Sequence, residues 1–209
     1  MTGEPGGAGT VVVATHNAHK LGELRRILAE ALPDVELVGY DGPEPVEDGG
    51  TFAENALIKA RAAAEFTGLP AIADDSGIGV DSLGGAPGIH SARYAGTRID
   101  ADNREKLLAA LGDAKDRLAH FECAAALVVP ATAGSDGAAA FEHVEPGVWH
   151  GSILFEAAGG GGFGYDPVFK PDGYTVSAAE LRTDEKNAIS HRSAAFRRLA
   201  PIIRQHVGR

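Results

Sequence analysis

Apolar positions change their period several times along the chain, and each change marks an element. Val11-Val12-Val13-Ala14 is a short apolar run rich in β-branched residues, which predicts a buried strand. A polar turn follows, from Thr15 to Lys20. Leu21, Leu24, Ile27, Leu28, Ala31 and Leu32 then recur at helical spacing until Pro33 stops the pattern. Val35-Glu36-Leu37-Val38 reads as a second strand. The chain therefore opens with a strand–turn–helix–strand unit, the seed of an α/β layer.

Residues 41–50 are acidic and rich in Gly and Pro, so they predict a loop. Thr51 and Glu54 have the spacing of a capping box, and the helix they open turns Phe52, Ala56, Leu57, Ala60 and Ala64 inward before ending at Gly68 and Pro70. Ala71-Ile72-Ala73 predicts a third strand that delivers Asp74-Asp75-Ser76-Gly77. Two readings stay open there: a turn at Ser76-Gly77, or a continuation through Ile78 and Val80. A glycine-dense loop at residues 84–88 precedes a helix from Asp102 to Leu111, closed by Gly112. Leu118 to Pro130 and Ala138 to Phe155 read as long antiparallel strands. Ala157 to Gly164 is a second glycine-dense loop. A final helix runs from Ser190 to Val207 and is kinked at Pro201. The predicted architecture is α/β, with a long mixed sheet flanked by helices in two lobes about a cleft. Residues 1–9 read as a flexible lead-in.

Composition narrows the function. The 209 residues are 44% hydrophobic and 23% charged, ordinary values for a folded domain. Lys and Arg number 19 against 29 Asp and Glu, a net charge of −10, which opposes a basic face that tracks a nucleic-acid backbone. A small nucleotide is still compatible, since a metal ion and a few local cations reverse the field in one cleft. The single cysteine, Cys123, excludes an intrachain disulfide and any multi-cysteine zinc or iron–sulfur site. No run approaches the length of a membrane span, and MTGEPGGAGT lacks the basic and apolar parts of a signal peptide. A cytoplasmic protein with no membrane partner is expected.

Four clusters carry candidate chemistry. Thr15, Asn17 and Lys20 lie between a buried strand and a helix N-terminus, where backbone amides and a cation favour an anion. The glycines of a Walker A loop are absent, and the plainer alternative is Asn17 capping the helix with Lys20 in water. Asp74 and Asp75, with Glu47 from the acidic loop, supply oxygen-only ligands suited to magnesium. The alternative is an Asx turn that leaves both carboxylates solvated. Gly162-Phe163-Gly164-Tyr165-Asp166-Pro167 reads either as a platform that stacks on a planar base or as an aromatic plug for the core. Lys186, Ser190, His191 and Arg192 open the last helix. A helix advances by about 100° per residue, so on one continuous helix Lys186, His191 and Arg192 would point in three well-separated directions. Convergence requires Lys186 on a loop or a break before Ser190.

Together these motifs resemble one family. Val13-Ala14-Thr15-His16-Asn17-Ala18-His19-Lys20, Thr51-Phe52-Ala53-Glu54-Asn55-Ala56, Ala73-Asp74-Asp75-Ser76-Gly77, GGAPGIHSARYAG over residues 84–96, Phe163-Gly164-Tyr165-Asp166-Pro167, and Glu185-Lys186-Asn187 with Ser190-His191-Arg192 occur in the order seen in the inosine triphosphate pyrophosphatases, also called dITP/XTP pyrophosphatases. The likeness spans residues 11 to about 204. His16 stands where many members carry glycine. The resemblance implies a single ITPase-like domain over residues 1–209, made of two lobes with a central active-site cleft, in an elongated protomer that forms a homodimer. It implies magnesium-dependent hydrolysis of ITP, dITP and XTP to the monophosphate and pyrophosphate, which keeps these nucleotides out of DNA and RNA. By the same likeness, Thr15, His16, Asn17, Ala18, His19, Lys20 and Lys59 hold the triphosphate. Asp75 is the general base and a metal ligand, with Asp74 and Glu47 in the metal shell, and Ser76 touches the substrate. Phe163, Gly164, Tyr165, Asp166, Lys186, His191 and Arg192 hold the base and sugar.

The physics of that assignment is simple. Inosine and xanthine present a carbonyl at position 6 and no 2-amino group, so a donor-lined pocket satisfies them and sets donor against donor with adenine or guanine. Each mismatch costs about 1–3 kcal/mol. Two competing readings remain: a catalytically silent nucleotide-binding or regulatory module, and a phosphatase with Asp74 as covalent nucleophile.

Overall fold

The opening unit forms as its periodicity predicts, as β1 (Gly9–Val13), α1 (Ala18–Leu28) and β2 (Val35–Gly39). The computed structural model describes residues 9–131 and 141–207. β1 begins inside the predicted lead-in, because Gly9 and Thr10 pair with Val35 and Glu36 of β2. Residues 1–8 and 138–140, read as lead-in and as the start of a strand, lie outside the described residues.

The remaining elements are α2 (Phe52–Thr67), β3 (Ala71–Val80), α3 (Asp100–Leu111), β4 (Leu118–Val129), β5 (Phe141–Ile153), β6 (Phe169–Pro171), α4 (Thr183–Ile189) and α5 (His191–Val207). The six strands form one sheet in the order β2-β1-β3-β4-β5-β6. β1 is parallel to both β2 and β3, and β5 is antiparallel to β6, so the sheet is mixed, as predicted. Of the two readings open at Ser76-Gly77, β3 takes the continuation and runs to Val80 with no turn. One detail differs from the sequence reading: a separate helix, α4, precedes α5. Among the described residues no helix is long and apolar enough to cross a membrane.

By its internal contacts the chain divides into two units. The first comprises Met1–Asp75, Ala124–Pro146 and Ala195–Arg209, and the second Ser76–Cys123 and Gly147–Ala194. In the first, Ala56, Ala60, Ala63 and Ala64 line one face of α2 and pack on Val12, Ala14, Ala71, Ala73, Ala124, Ala126 and Val128. Side chains this small bring the helix close to the sheet. α2 is started by the predicted capping box: Thr51 Oγ1 accepts the Glu54 amide and Glu54 Oε2 the Thr51 amide, each at 3.1 Å. β2 is a short edge strand, and Arg25 donates to its Leu37 carbonyl at 3.1 and 2.7 Å, which blunts that edge against further pairing.

The second unit has an aromatic core. Ile78, Val80, Leu107, Leu111, Phe121, Trp149, Tyr165 and Phe169 are buried together, with Phe121 edge-on to Phe169 at 4.7 Å.

Candidate active site

β1 lies between β2 and β3 and is parallel to both, so the chain leaves it on one side and returns on the other. Such a reversal opens a crevice beyond the C-terminal ends of the strands. Right-handed crossovers on the two sides of β1 put α1 and α2 on opposite faces. Val13, the last residue of β1, is in register with Ile72, two residues before Asp74. Successive residues of a strand alternate faces, and the two aspartates therefore meet different helices. Lys20 Nζ of α1 lies 3.3 Å from Asp74 Oδ2, and Lys59 Nζ of α2 lies 2.8 Å from Asp75 Oδ1. Neither carboxylate is left to water, which is why the strand needs no turn at Ser76.

Asp75 is held by one turn of α2. Lys59 takes one oxygen, and Asn55 Nδ2, four residues earlier, reaches the other at 3.4 Å. Asn55 also accepts the Gly49 amide at 2.9 Å, and a Cβ at Gly49 would come within 2.7 Å of that oxygen, so the acidic loop requires glycine there. Lys59 Nζ is shared with Glu47 Oε2 at 3.0 Å. Burial pushes the Asp75 carboxyl above its ordinary range against the pull of Lys59, and the charges of Glu47 and Asp74 push it the same way. Burial opposes the charged form of Lys59 too, but Asp75, Asp74 and Glu47 outweigh it and hold its ammonium above the usual value.

In the turn before α1, both readings of the sequence find a part. Asn17 caps the helix, accepting the amides of His19 at 2.9 Å and Lys20 at 3.3 Å, while Thr15 Oγ1 accepts the Asn17 amide at 3.2 Å. Those two helix amides thus serve the cap. Lys20 is not simply solvated, since it bonds Asp74. Ala18 opens the helix, and His16, Asn17, Ala18 and His19 are exposed. His16 reaches across to Glu44 and to the Gly42 carbonyl.

The donor set fits a hard divalent cation. Its members are carboxylate oxygens only, and magnesium takes one or two carboxylates while keeping water and phosphate as its other ligands. Asp75 and Glu47 share Lys59, whereas Asp74 faces the other helix. Among the described residues no group of three or more His, Cys, Asp or Glu side chains is arranged to hold an ion by itself.

A second cluster belongs to the other unit. Ser190 is extended (φ −69°, ψ 156°), ends α4, and accepts the Ser193 amide at 3.3 Å as the cap of α5. This is the break that convergence required. Lys186 Nζ and the Arg192 guanidinium lie 5.0 and 5.4 Å from the centre of the Phe163 ring, within cation–π range. Lys186 also bonds the buried Asp166 at 2.5 Å, and Asp166 accepts the Phe163 amide at 2.8 Å. Gly162 has φ 68°, and a Cβ there would collide with Asp166 Oδ2. Arg192, fully buried, donates to Ser76 at 3.1 Å.

Not every aromatic candidate faces outward. Phe163 is 39% exposed, as a stacking platform requires. Tyr165 is buried and donates to the Ser91 carbonyl at 2.8 Å, and His191 is buried with its ring stacked on Phe121 at 4.7 Å. These two pack within the unit. Sequence reasoning gave no role to Asn55, nor to Asp100 and Arg104 of α3. The last pair grips Gly164 from both sides: Asp100 Oδ2 accepts its amide and Arg104 Nη1 donates to its carbonyl, each at 2.7 Å. The available signal was spacing, since 55 with 59 and 100 with 104 are both one helical turn apart.

The family model that matches the chain is that of the Ham1 family, over residues 11–202, and the chain belongs to this family. A dITP/XTP pyrophosphatase of Leifsonia xyli subsp. xyli is 56% identical over 197 residues, covering 93% of this chain and 95% of that protein. Among solved structures, a HAM1 protein from Coxiella burnetii superposes with a TM-score of 0.82 at 42% identity, covering 94% of this chain and 98% of that one. A nucleoside-triphosphatase, dITP/XTP pyrophosphatase, from Mycobacterium abscessus gives 0.70 at 44% identity, covering 92% and 98%.

Proposed function

We propose that this chain hydrolyses the non-standard purine nucleotides ITP, dITP and XTP to the nucleoside monophosphate and pyrophosphate, and so removes them before incorporation into DNA or RNA. Full-length relatives named dITP/XTP pyrophosphatase support the reaction class. The observation that carries the reading is Asp75, a carboxylate gripped at both oxygens and raised in basicity beside the turn after β1.

Asp75 serves as the general base. Its elevated proton affinity improves it for removing a proton from water near neutral pH. The water oxygen adds to phosphorus, the α–β anhydride bond breaks, its electron pair leaves with pyrophosphate, and the water proton passes to Asp75. Lys59 and Asn55 fix the carboxylate, while Thr15, Asn17, Ala18, His19 and Lys20 receive the triphosphate, with His16 in the same turn bonded to Glu44 and the Gly42 carbonyl. A magnesium ion held by Asp75, with Glu47 and Asp74 beside it, supplies charge neutralisation when bound. Phe163 stacks on the base. Lys186 and Arg192, with Ser76, Gly164, Tyr165, Asp166 and His191 around them, form the base and sugar site and favour a 6-carbonyl over an amino group. The working form in this reading is a cytoplasmic homodimer without nucleic-acid or membrane partners.

Product analysis with ITP, magnesium and an ATP control tests it. IMP and pyrophosphate with ATP nearly untouched is the expected result. Orthophosphate would move the chemistry to a phosphatase, and metal-dependent binding without turnover would leave a silent nucleotide-binding module.

A further inference from the structure

The His16 ring is held on three sides. Nδ1 lies 3.0 Å from Glu44 Oε1, Nε2 lies 2.9 Å from the Gly42 carbonyl, and the ring stacks on Tyr40 at 5.5 Å and 23°. A carboxylate and a carbonyl only accept hydrogen bonds, so both ring nitrogens must donate. A neutral imidazole carries one N–H, and only the imidazolium fills both contacts. The segment it grips is itself anchored: Tyr40 is buried, its hydroxyl donates to the Pro43 carbonyl at 2.9 Å, and Gly42 is packed against its ring.

We propose that His16, as the imidazolium, is a positioning residue that ties the 15–20 turn to the 41–44 segment and so holds Thr15, Asn17 and Lys20 in place for the triphosphate. The inference rests on reading that turn as the triphosphate site, and adds a latch that opens as pH rises. Glu44 and Asp41 face the ring from the 41–44 segment, and the Tyr40 phenol faces it from the end of β2. On its own segment the ionisable neighbours are His19 and Lys20, the latter drawn to Asp74. The bond to Glu44 first, then the Gly42 carbonyl and the charges of Glu44 and Asp41, hold the ring protonated above the ordinary imidazole range. Loss of the proton removes one of the two donors. The His16 ring then keeps one of its two hydrogen bonds to the 41–44 segment.

Two readouts on the full chain test the latch. NMR titration of the His16 ring is expected to show ionisation above the ordinary range, a downward move in Glu44→Gln, and Asn17–Lys20 amide resonances that follow the same curve. Kinetics from pH 6 to 9 should show KM for ITP rising about two- to fivefold through that titration, the scale of an exposed ion pair, with kcat changing less. His16→Gln should have a raised KM without that inflection. Ionisation of ITP is common to all the variants and cancels in the comparison. Amides that ignore the His16 titration would overturn the proposal, as would a Glu44→Gln profile that superimposes on the parent. A lower KM in Glu44→Gln would also overturn it, since the ring would then meet phosphate directly. If ITP is not hydrolysed at all, the functional reading fails while the NMR titration still decides the latch.

Discussion

Asp74 and Asp75 are consecutive residues of β3 that answer to different helices, one bonded to Lys20 of α1 at 3.3 Å and the other to Lys59 of α2 at 2.8 Å. The pleat thus separates two roles that adjacent positions in the sequence would merge. Asp75→Asn should lower kcat by about a hundredfold or more while calorimetry still detects ITP. Lys20→Ala should act mainly on KM. Near-normal turnover by Asp75→Asn would remove it as the base.

Asn55 joins the acidic loop to the proposed base, with Gly49 on one side and Asp75 on the other. Asn55→Ala leaves a loop amide and a carboxylate oxygen short of a partner. Urea denaturation should show a loss of about 1–3 kcal/mol, with a fall in kcat larger than the change in KM.

Arg104 reaches the aromatic loop through the Gly164 carbonyl. Removing it frees the segment carrying Phe163 without altering any carboxylate of the first unit. Arg104→Ala should therefore raise KM for ITP about three- to tenfold, the scale of one lost hydrogen bond of ordinary net strength, and change kcat less. An effect confined to kcat would show that the loop does not position the base.

Burial lifts the Tyr165 phenol well above its ordinary value near 10, and the neighbouring charge of Asp100 adds to the shift. The unfolded chain ionises this tyrosine first, so its stabilising contribution is complete below pH 10 and declines as pH rises further. Tyr165→Phe should be less stable than the parent at pH 8, through loss of the bond to Ser91. That difference should shrink as pH rises from 10 to 11 in paired denaturation curves. A constant gap would show that the phenol ionises equally in both states.

Much of this was legible from periodicity. The Val11–Val13 strand, the capped helix from Thr51 and the apolar face of α2 are local patterns, and tertiary packing had only to agree with them. Asp74-Asp75 resisted because a pair of charges usually ends a strand. What keeps them within β3 is a lysine from each of two helices, Lys20 and Lys59, and no local rule reports a partner 54 or 16 residues away. Tyr165 and His191 illustrate the opposite limit. A motif lists residues without saying which face inward, and both are buried beside the more exposed Phe163. Helix α4 went unseen because its seven residues are too few to show a full apolar period.

Ser190 acts as a phase shift. A lysine and an arginine six positions apart on an unbroken helix would face directions about a third of a turn apart, yet here both reach one phenylalanine ring. One extended residue resets the angular count, so this part of the chain encodes its geometry through an interruption. Helix-promoting replacements, which strengthen most helices, are harmful at this position: Ser190→Ala should disperse the two cations and weaken nucleotide binding. Any effort to stabilise the protein by smoothing its helices should leave that serine in place.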